Sequence, residues 1–529
     1  MNIPLSRRNF LTALGALGGL VGFDLSTAWA RPILLGRQTD RSLANAIDLS
    51  IRNVAREGLN NFFPAPFEIS MLSERSDLRQ AVFTRAYAML DTKGFRPSDF
   101  ANLDLMEFPK REYGARRICA VMEPMDAVAY LALVLLAAPA IERIRIGADQ
   151  RVVHSFRYRP TAMGGTLFDR RYNYVSFLKE ARRRRGASDV LVACDIANFF
   201  GSVSPQAVHA ALTEAAVPSA TADHIASLLQ FWLDQGAVGL PVGPNASKIL
   251  AEAVLCRVDR SLQAECVEFV RYVDDFRLIA RDVPTAENHA RILADVLAAN
   301  NLALNSEKTR MTEPKGAAAD PIVTSANYEQ AAPPRQFKPP TRQELRRLHK
   351  KRSDAAPDPR IFLTGPLLPT TKVRRTMRLA ICTGQSDFIR TIPAILDRYP
   401  EFSRYATLAL AYAADLVPQS LKRELGRYAA TAVLDDRTPS FARLDFLRFI
   451  GEPGFVRRKT LINYALASES RGPEFRAALD ALSNCGGIPA SILRKYEAAD
   501  PRARRALAAS ARNRMRIPTN DDPFLSIIA

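Results

Sequence analysis

The stretch Val267–Ala280, VEFVRYVDDFRLIA, sets two adjacent carboxylates, Asp274 and Asp275, between two β-prone apolar runs. A hairpin would turn where the acids lie. Neighbouring carboxylates repel each other, and a cation most naturally relieves that repulsion. Another acid, Asp195, ends the apolar run Val190–Cys194 (VLVAC) and is followed by Ile196-Ala197-Asn198-Phe199-Phe200. A strand ending in an acid, beside an acidic hairpin, predicts a divalent-metal site. The chemistry implied is phosphoryl transfer, in which two metal ions about 4 Å apart activate the attacking oxygen and stabilise the leaving one.

The chain has 529 residues, too many for one typical core; a prior of roughly 150 residues per domain suggests about two to four domains. Charge narrows the choice of partner: 73 Lys and Arg against 55 Asp and Glu leave +18. Such a surplus favours a polyanion, nucleic acid being the commonest, over a merely solvated basic surface. Six cysteines, at 119, 194, 256, 266, 382 and 485, form no CxxC pair and stand near no His cluster of zinc spacing. They are expected to be buried or free thiols of a reducing compartment.

At the N-terminus, Ser6-Arg7-Arg8-Asn9-Phe10-Leu11 precedes an apolar run, Thr12–Phe23, and then Ala28-Trp29-Ala30. Residues 1–30 thus resemble a twin-arginine export signal; the competing reading is an upstream start codon or a chance leader. No other stretch reaches the ~18 consecutive apolar residues of a membrane span.

Residues from about 43 to 100 read as helices broken by Phe62-Phe63-Pro64-Ala65-Pro66-Phe67, and Met125–Ile141 is a strongly apolar helix candidate. Between 188 and 312, short strands alternate with helices such as Ser204–Ala215 and Thr285–Asn300, which suits an α/β palm. Prolines at 333, 334, 339, 340, 357 and 366 then interrupt a basic helix, Arg342–Arg352, in a stretch (313–372) read as connector and thumb-like. Residues 373–516 are rich in Ala, Leu and Arg, and their apparently paired helices suggest a HEAT-like solenoid. Residues 371–529 carry 26 Lys and Arg against 16 Asp and Glu, so just under a third of the chain holds +10 of the +18.

Asp195 and Asp274 can each bridge two metals, and the Ile196 carbonyl can supply a further oxygen, since Mg²⁺ takes about six oxygen ligands and keeps some waters. Asp275 is either a third ligand or a charge that shapes the site. Phe200, five residues after Asp195, would lie under the sugar of an incoming nucleotide and leave no room for a 2′-hydroxyl. The competing reading puts Phe199 and Phe200 in the core, and one of the two is expected there. Gly239–Ser247 (GLPVGPNAS) opens a helix running to about Leu262. Its Gly and Pro residues, Gly243 among them, fix a backbone that can approach a base pair closely, and Ser247 can cap the helix. Lys308, within Leu302–Thr309 (LALNSEKT), either steadies or protonates a pyrophosphate leaving group or faces solvent.

In order and spacing these blocks resemble motifs A, B, C and D of reverse transcriptases: Asp195–Ser202 (DIANFFGS), Gly239–Ser247, Tyr272–Asp275 (YVDD) and Leu304–Thr309 (LNSEKT). Upstream, Pro109-Lys110 with Gly114, Arg117 and Asp126 is similar to the fingers pattern of bacterial and group II intron enzymes, and Ser155–Arg159 (SFRYR) to a further fingers block. The resemblance covers roughly residues 43–310. It implies an α+β right-hand polymerase, with fingers at 43–187 and a ferredoxin-like palm at 188–312, followed by an all-α, HEAT-like C-terminal domain. It implies catalytic acids at Asp195, Asp274 and Asp275, two Mg²⁺ ions (or Mn²⁺) on those acids and Ile196, and nucleotide contacts from Lys110, Arg117, Phe200 and Lys308. Template or primer would meet Gly243, Ser247 and Tyr272.

Where intron and retron enzymes usually carry Gln, this chain has Val242, and Leu250-Ala251-Glu252 follows. That form resembles the abortive-infection, antiviral-defence branch, some members of which extend a protein hydroxyl without a conventional template. The expected activity is RNA-directed DNA synthesis from dNTPs, with template-relaxed or protein-primed synthesis, an RNA-dependent RNA polymerase and a non-catalytic nucleic-acid scaffold as alternatives. Arg182–Arg185 and Arg342–Lys351 would contact phosphates or stay solvated. The helical domain offers a surface for oligomerisation, and a working polymerase is expected in the cytoplasm, where nucleotides are.

Overall fold

The computed structural model describes residues 41–312, 340–344 and 358–495, apart from short stretches at 60–62, 64–65, 92–93, 110–115, 162–163, 187–188, 342, 365–367, 369 and 468–471. The expected leader, Lys110, Gly114, most of the 313–372 connector and nearly all of the basic helix lie outside the described residues. The chain divides into two units, one made of residues 33–106 and 118–332, the other taking in 107–117 and 333–529.

The described strands are β1 (Asp104–Pro109), β2 (Arg116–Val121), β3 (Val190–Asp195), β4 (Glu268–Tyr272), β5 (Asp275–Ala280) and β6 (Arg310–Thr312). β1 and β2 pair with each other, and the rest form one sheet in the order β4-β5-β3-β6. Each of its three pairings is antiparallel. The apolar run Val190–Cys194 is buried throughout, which is why it takes an interior place in the sheet. Side chains alternate between faces. One face gathers Leu191, Val270 and Ile279 against Tyr174, Phe177, Leu178 and Ala181 of the Tyr174–Arg184 helix. On the other face the Val283–Ala299 helix packs against β3 and β5. That helix begins where the Asp282 carboxylate accepts the Thr285 amide at 2.8 Å, with Pro284 in its first turn.

The apolar helix expected at Met125–Ile141 spans Pro124–Ile144. It is the one described helix long and apolar enough to cross a membrane, and most of it is buried inside its unit. Arg41–Glu57 and Asn245–Ala264 cover it. Each Leu or Val so enclosed contributes roughly 1.5–3 kcal/mol.

In the second unit the described segments from Thr370 to Lys495 are helical, and successive helices pack on their neighbours and next-but-one neighbours. Phe402, Phe441 and Phe455 fill its core, and Ser403 donates to the buried Asp445 carboxylate at 2.6 Å. All six cysteines are free thiols, four of them buried, with Cys266 exposed and Cys485 half-buried.

Candidate active site

Asp195 and Asp275 are register partners at the end of the β3–β5 ladder. Partners share a face, so both carboxylates leave the sheet on the side that also carries Tyr272. Val273 and Asp274 make the turn between β4 and β5. Val273 is buried and has φ 56°, a left-handed conformation that a β-branched residue rarely adopts. Two donors fix this turn: the Ile196 amide donates to the Asp274 carbonyl at 3.2 Å, and Arg271 Nη1 donates to the Val273 carbonyl at 3.0 Å.

Motif D closes on the other edge of Asp195. The Asn305 amide donates to the Asp195 carbonyl at 2.7 Å, and the Ala197 amide to the Ala303 carbonyl at 2.8 Å. Asp195 Oδ2 accepts from Asn305 Nδ2 at 3.2 Å and lies 3.2 Å from Lys308 Nζ. Lys308, expected at a leaving pyrophosphate, therefore stands on Asp195. Arg277 Nη1 lies 3.8 Å from Asp275 Oδ1. Burial and the facing Asp195 push the Asp275 carboxyl up to about 6, against the pull of Arg277 and Lys308.

The donor set fits a hard divalent cation. Aspartate oxygens and a main-chain carbonyl are the ligands Mg²⁺ prefers, and a carboxyl raised beside another carboxylate is one that a cation would stabilise in its charged form. Ile196 is held to the turn through its amide, which donates to the Asp274 carbonyl. Among the described residues, no three His, Cys, Asp or Glu side chains already converge into a metal cluster. In this arrangement Lys308 and Asn305 occupy the Asp195 carboxylate instead.

Phe199 is buried, as expected of one of the pair, and Phe200 is half-exposed. The Phe200 carbonyl accepts the Leu240 amide at 2.8 Å. Gly239 makes that approach possible: its φ is +58°, and a Cβ there would come 2.2 Å from the Phe200 oxygen and 2.7 Å from the Gly201 carbonyl. Gly243 also has positive φ, 129°. The Val242 carbonyl accepts from the Ala120 amide of β2 at 3.1 Å, which ties the loop to a second strand. Ser247 does not cap its helix. The helix begins at Asn245, and the Ser247 hydroxyl is fully buried, 3.2 Å from Tyr130 Oη. Tyr272 is half-buried among Tyr174, Phe156 and Phe177, with ring centroids 5.3, 6.1 and 6.2 Å away.

Arg117 is exposed on β2, within the stretch that clusters with the helical unit. In the Arg182–Arg185 run, Arg183 and Arg184 join Arg151 in binding Glu180, whose side chain is 1% exposed. Charge expected there either to meet phosphate or to stay solvated is thus partly engaged by an internal acid. Sequence reasoning missed Asn305, Arg271 and Arg277. Asn305 lies within Leu304–Thr309, and Arg271 and Arg277 flank Tyr272–Asp275, but nothing in their residue types distinguishes them from ordinary polar neighbours.

Residues 139–340 match the family described as reverse transcriptase (RNA-dependent DNA polymerase). The chain carries a reverse transcriptase domain, with a polymerase-type fold of mixed helix and sheet. No curated protein matches the chain. Among solved structures, telomerase from Candida albicans in complex with a fragment of telomeric RNA aligns at TM-score 0.30 and 10% identity, over 72% of this chain and 66% of that one. Apo telomerase from Candida tropicalis aligns at TM-score 0.32 and 11% identity, over 80% and 88%.

Proposed function

We propose that the chain is an RNA-directed DNA polymerase that adds dNTPs at the Asp195, Asp274 and Asp275 site. The observation that carries this reading is the register pairing of Asp195 with Asp275, beside a turn that holds Asp274. The three aspartates and the Ile196 carbonyl would hold Mg²⁺ or Mn²⁺; bound there, a pair of ions supplies activation of the attacking hydroxyl oxygen and stabilisation of the charge on the leaving group. The chain's own groups do the rest. Phe200 limits the space below the sugar, so that a 2′-hydroxyl is excluded. Lys308 can transfer its charge from Asp195 to a nucleotide phosphate, and Lys110 and Arg117 take the triphosphate. Primer and template lie along Gly243 and Tyr272.

Val242 and Leu250-Ala251-Glu252 support placing the enzyme in the antiviral-defence branch, with synthesis that can dispense with a conventional template and start on a protein hydroxyl. The C-terminal helices read as a HEAT-like solenoid, a surface for self-association, and the enzyme works in the cytoplasm.

The test is incorporation of dNTPs and rNTPs by purified protein on RNA, on DNA and without template, with sequencing of copurifying and covalently attached nucleic acid. The double variant Asp274→Ala/Asp275→Ala is the control. Incorporation of dNTPs that this variant abolishes is the expected result. Undiminished incorporation by the variant would overturn the site, and a preference for rNTPs would favour an RNA polymerase.

A further inference from the structure

Behind the acidic turn, on the opposite face of the sheet, lies a cluster of buried charges. Arg271 is fully buried in β4. Its Nη2 lies 2.6 Å from Asp259 Oδ2 and 3.0 Å from Glu252 Oε2, and its Nε donates to Asp259 Oδ1 at 2.7 Å. Both acids sit on the Asn245–Ala264 helix that the GLPVGPNAS loop opens, and each is 1% exposed. Arg145 Nη2 also reaches Glu252 Oε2, at 2.7 Å, and donates to the Ser155 carbonyl at 2.6 Å. The Ser155 hydroxyl donates to Glu252 Oε1 at 2.5 Å. Arg271 and Arg145 thus face Asp259 and Glu252, with Glu142 also on Arg145 at 3.1 Å, and every oxygen of Asp259 and Glu252 has a donor.

One donor of Arg271 is shared with the turn. Besides Glu252 Oε1 at 3.4 Å, Nη1 reaches, at 3.0 Å, the carbonyl of Val273, the residue held at φ 56°. A valine in that conformation is strained, and strain persists only where the surroundings over-determine it. The main chain of Arg271 is fixed as well, since its amide donates to the Val152 carbonyl and its carbonyl accepts the His154 amide, both at 2.9 Å. The guanidinium is therefore immobilised on all sides before it meets the turn.

We infer that Arg271, clamped by Asp259 and Glu252, is a positioning residue that holds the strained Val273 peptide and so fixes Asp274 and Asp275 for the reaction. This role couples motif C to the helix of motif B through charge pairs rather than through the ladder. Its catalytic meaning rests on the polymerase reading; its structural content does not.

The test is Arg271→Lys, which keeps a cation for Asp259 and Glu252 but lacks a fork that can also reach Val273. Hydrogen exchange of peptides covering residues 270–276 is compared with that of β3 peptides in the full-length protein. The expected result is exchange at the turn faster by about tenfold or more, with β3 protection unchanged. In steady-state incorporation, kcat should fall by about tenfold or more while KM for dNTP stays within about threefold. Adding Val273→Gly, which takes positive φ without strain, should recover part of both losses. Turn exchange equal to wild type in a folded Arg271→Lys would overturn the inference, whether or not the protein polymerises. Should that variant not fold, Asp259→Asn loosens half the clamp and should speed turn exchange about threefold; no change there would likewise overturn it.

Discussion

Asp195 and Asp275 face each other as direct partners across the β3–β5 ladder, and Lys308 Nζ lies 3.2 Å from Asp195. Like charges opposed across a ladder destabilise it, so this pairing makes sense only with a cation between or beside the acids. Two cations are at hand in this arrangement, the exposed Lys308 and the buried Arg277, whose Nη1 lies 3.8 Å from Asp275 Oδ1.

Lys308→Met should therefore separate stability from activity. The lysine side chain is 41% exposed, so its ion pair is worth about 0–1 kcal/mol and thermal unfolding should barely move. Nucleotide incorporation should fall by about tenfold or more, because a general electrostatic contact to phosphate is lost. A large drop in melting temperature with unchanged turnover would show the opposite assignment.

Phe200→Ala should admit ribonucleotides. The ratio of kcat/KM for a dNTP to that for the matching rNTP is expected to fall at least about tenfold, equivalent to ~1.4 kcal/mol. Incorporation of dNTP itself should persist, since the Asp195, Asp274 and Asp275 carboxylates are untouched. An unchanged ratio would return Phe200 to the core alongside Phe199.

Gly239→Ala should be among the most damaging small changes in the domain. The added methyl would lie 2.2 Å from the Phe200 carbonyl oxygen, at a backbone φ of +58°. A loss of at least about 2 kcal/mol in urea unfolding is expected. Equal stability would mean that the loop can leave the Phe200 backbone without cost.

Glu180 gives a pH test remote from the acids. Burial alone would raise its carboxyl, but hydrogen bonds from Arg183, Arg184 and Arg151 hold it down to about 2, below the ordinary 4.5. A depressed carboxyl contributes stability above its ordinary range and loses it as pH falls through the folded value. Glu180→Gln should thus cost about 1–3 kcal/mol at pH 7, after allowance for the exposed arginines, and progressively less from pH 5 down to 2. Unfolding curves across that range check it, and a difference that grows in acid would contradict the assignment.

The sheet was legible because its strands announce themselves. Val190–Cys194 is a buried apolar run, and the YVDD hairpin has acids where the chain must reverse. The Pro124–Ile144 helix was legible for the same reason, its apolar residues leaving no wet face. The partners of the acids were harder. Asn305 and Lys308 reach Asp195 only because an isolated bridge brings Leu304 beside Ile196, 108 positions earlier in the chain, and no local pattern encodes that pairing. Ser247 misled because it stands near a helix start with a hydroxyl suited to capping, whereas the tertiary contact with Tyr130 claims the group. Arg271 reads as one more basic residue in a strand until Asp259 and Glu252 are seen behind it.

The bond from the Leu240 amide to the Phe200 carbonyl, made possible by Gly239, anchors position 200 through main-chain atoms. Whatever side chain stands there inherits the same location. Bulk at that point can then drift through substitution while the acids, the hairpin and the neighbouring loop keep their places. On the proposed polymerase reading, choice of sugar becomes a heritable setting, open to adjustment one residue at a time without rebuilding the acids and the loop around it.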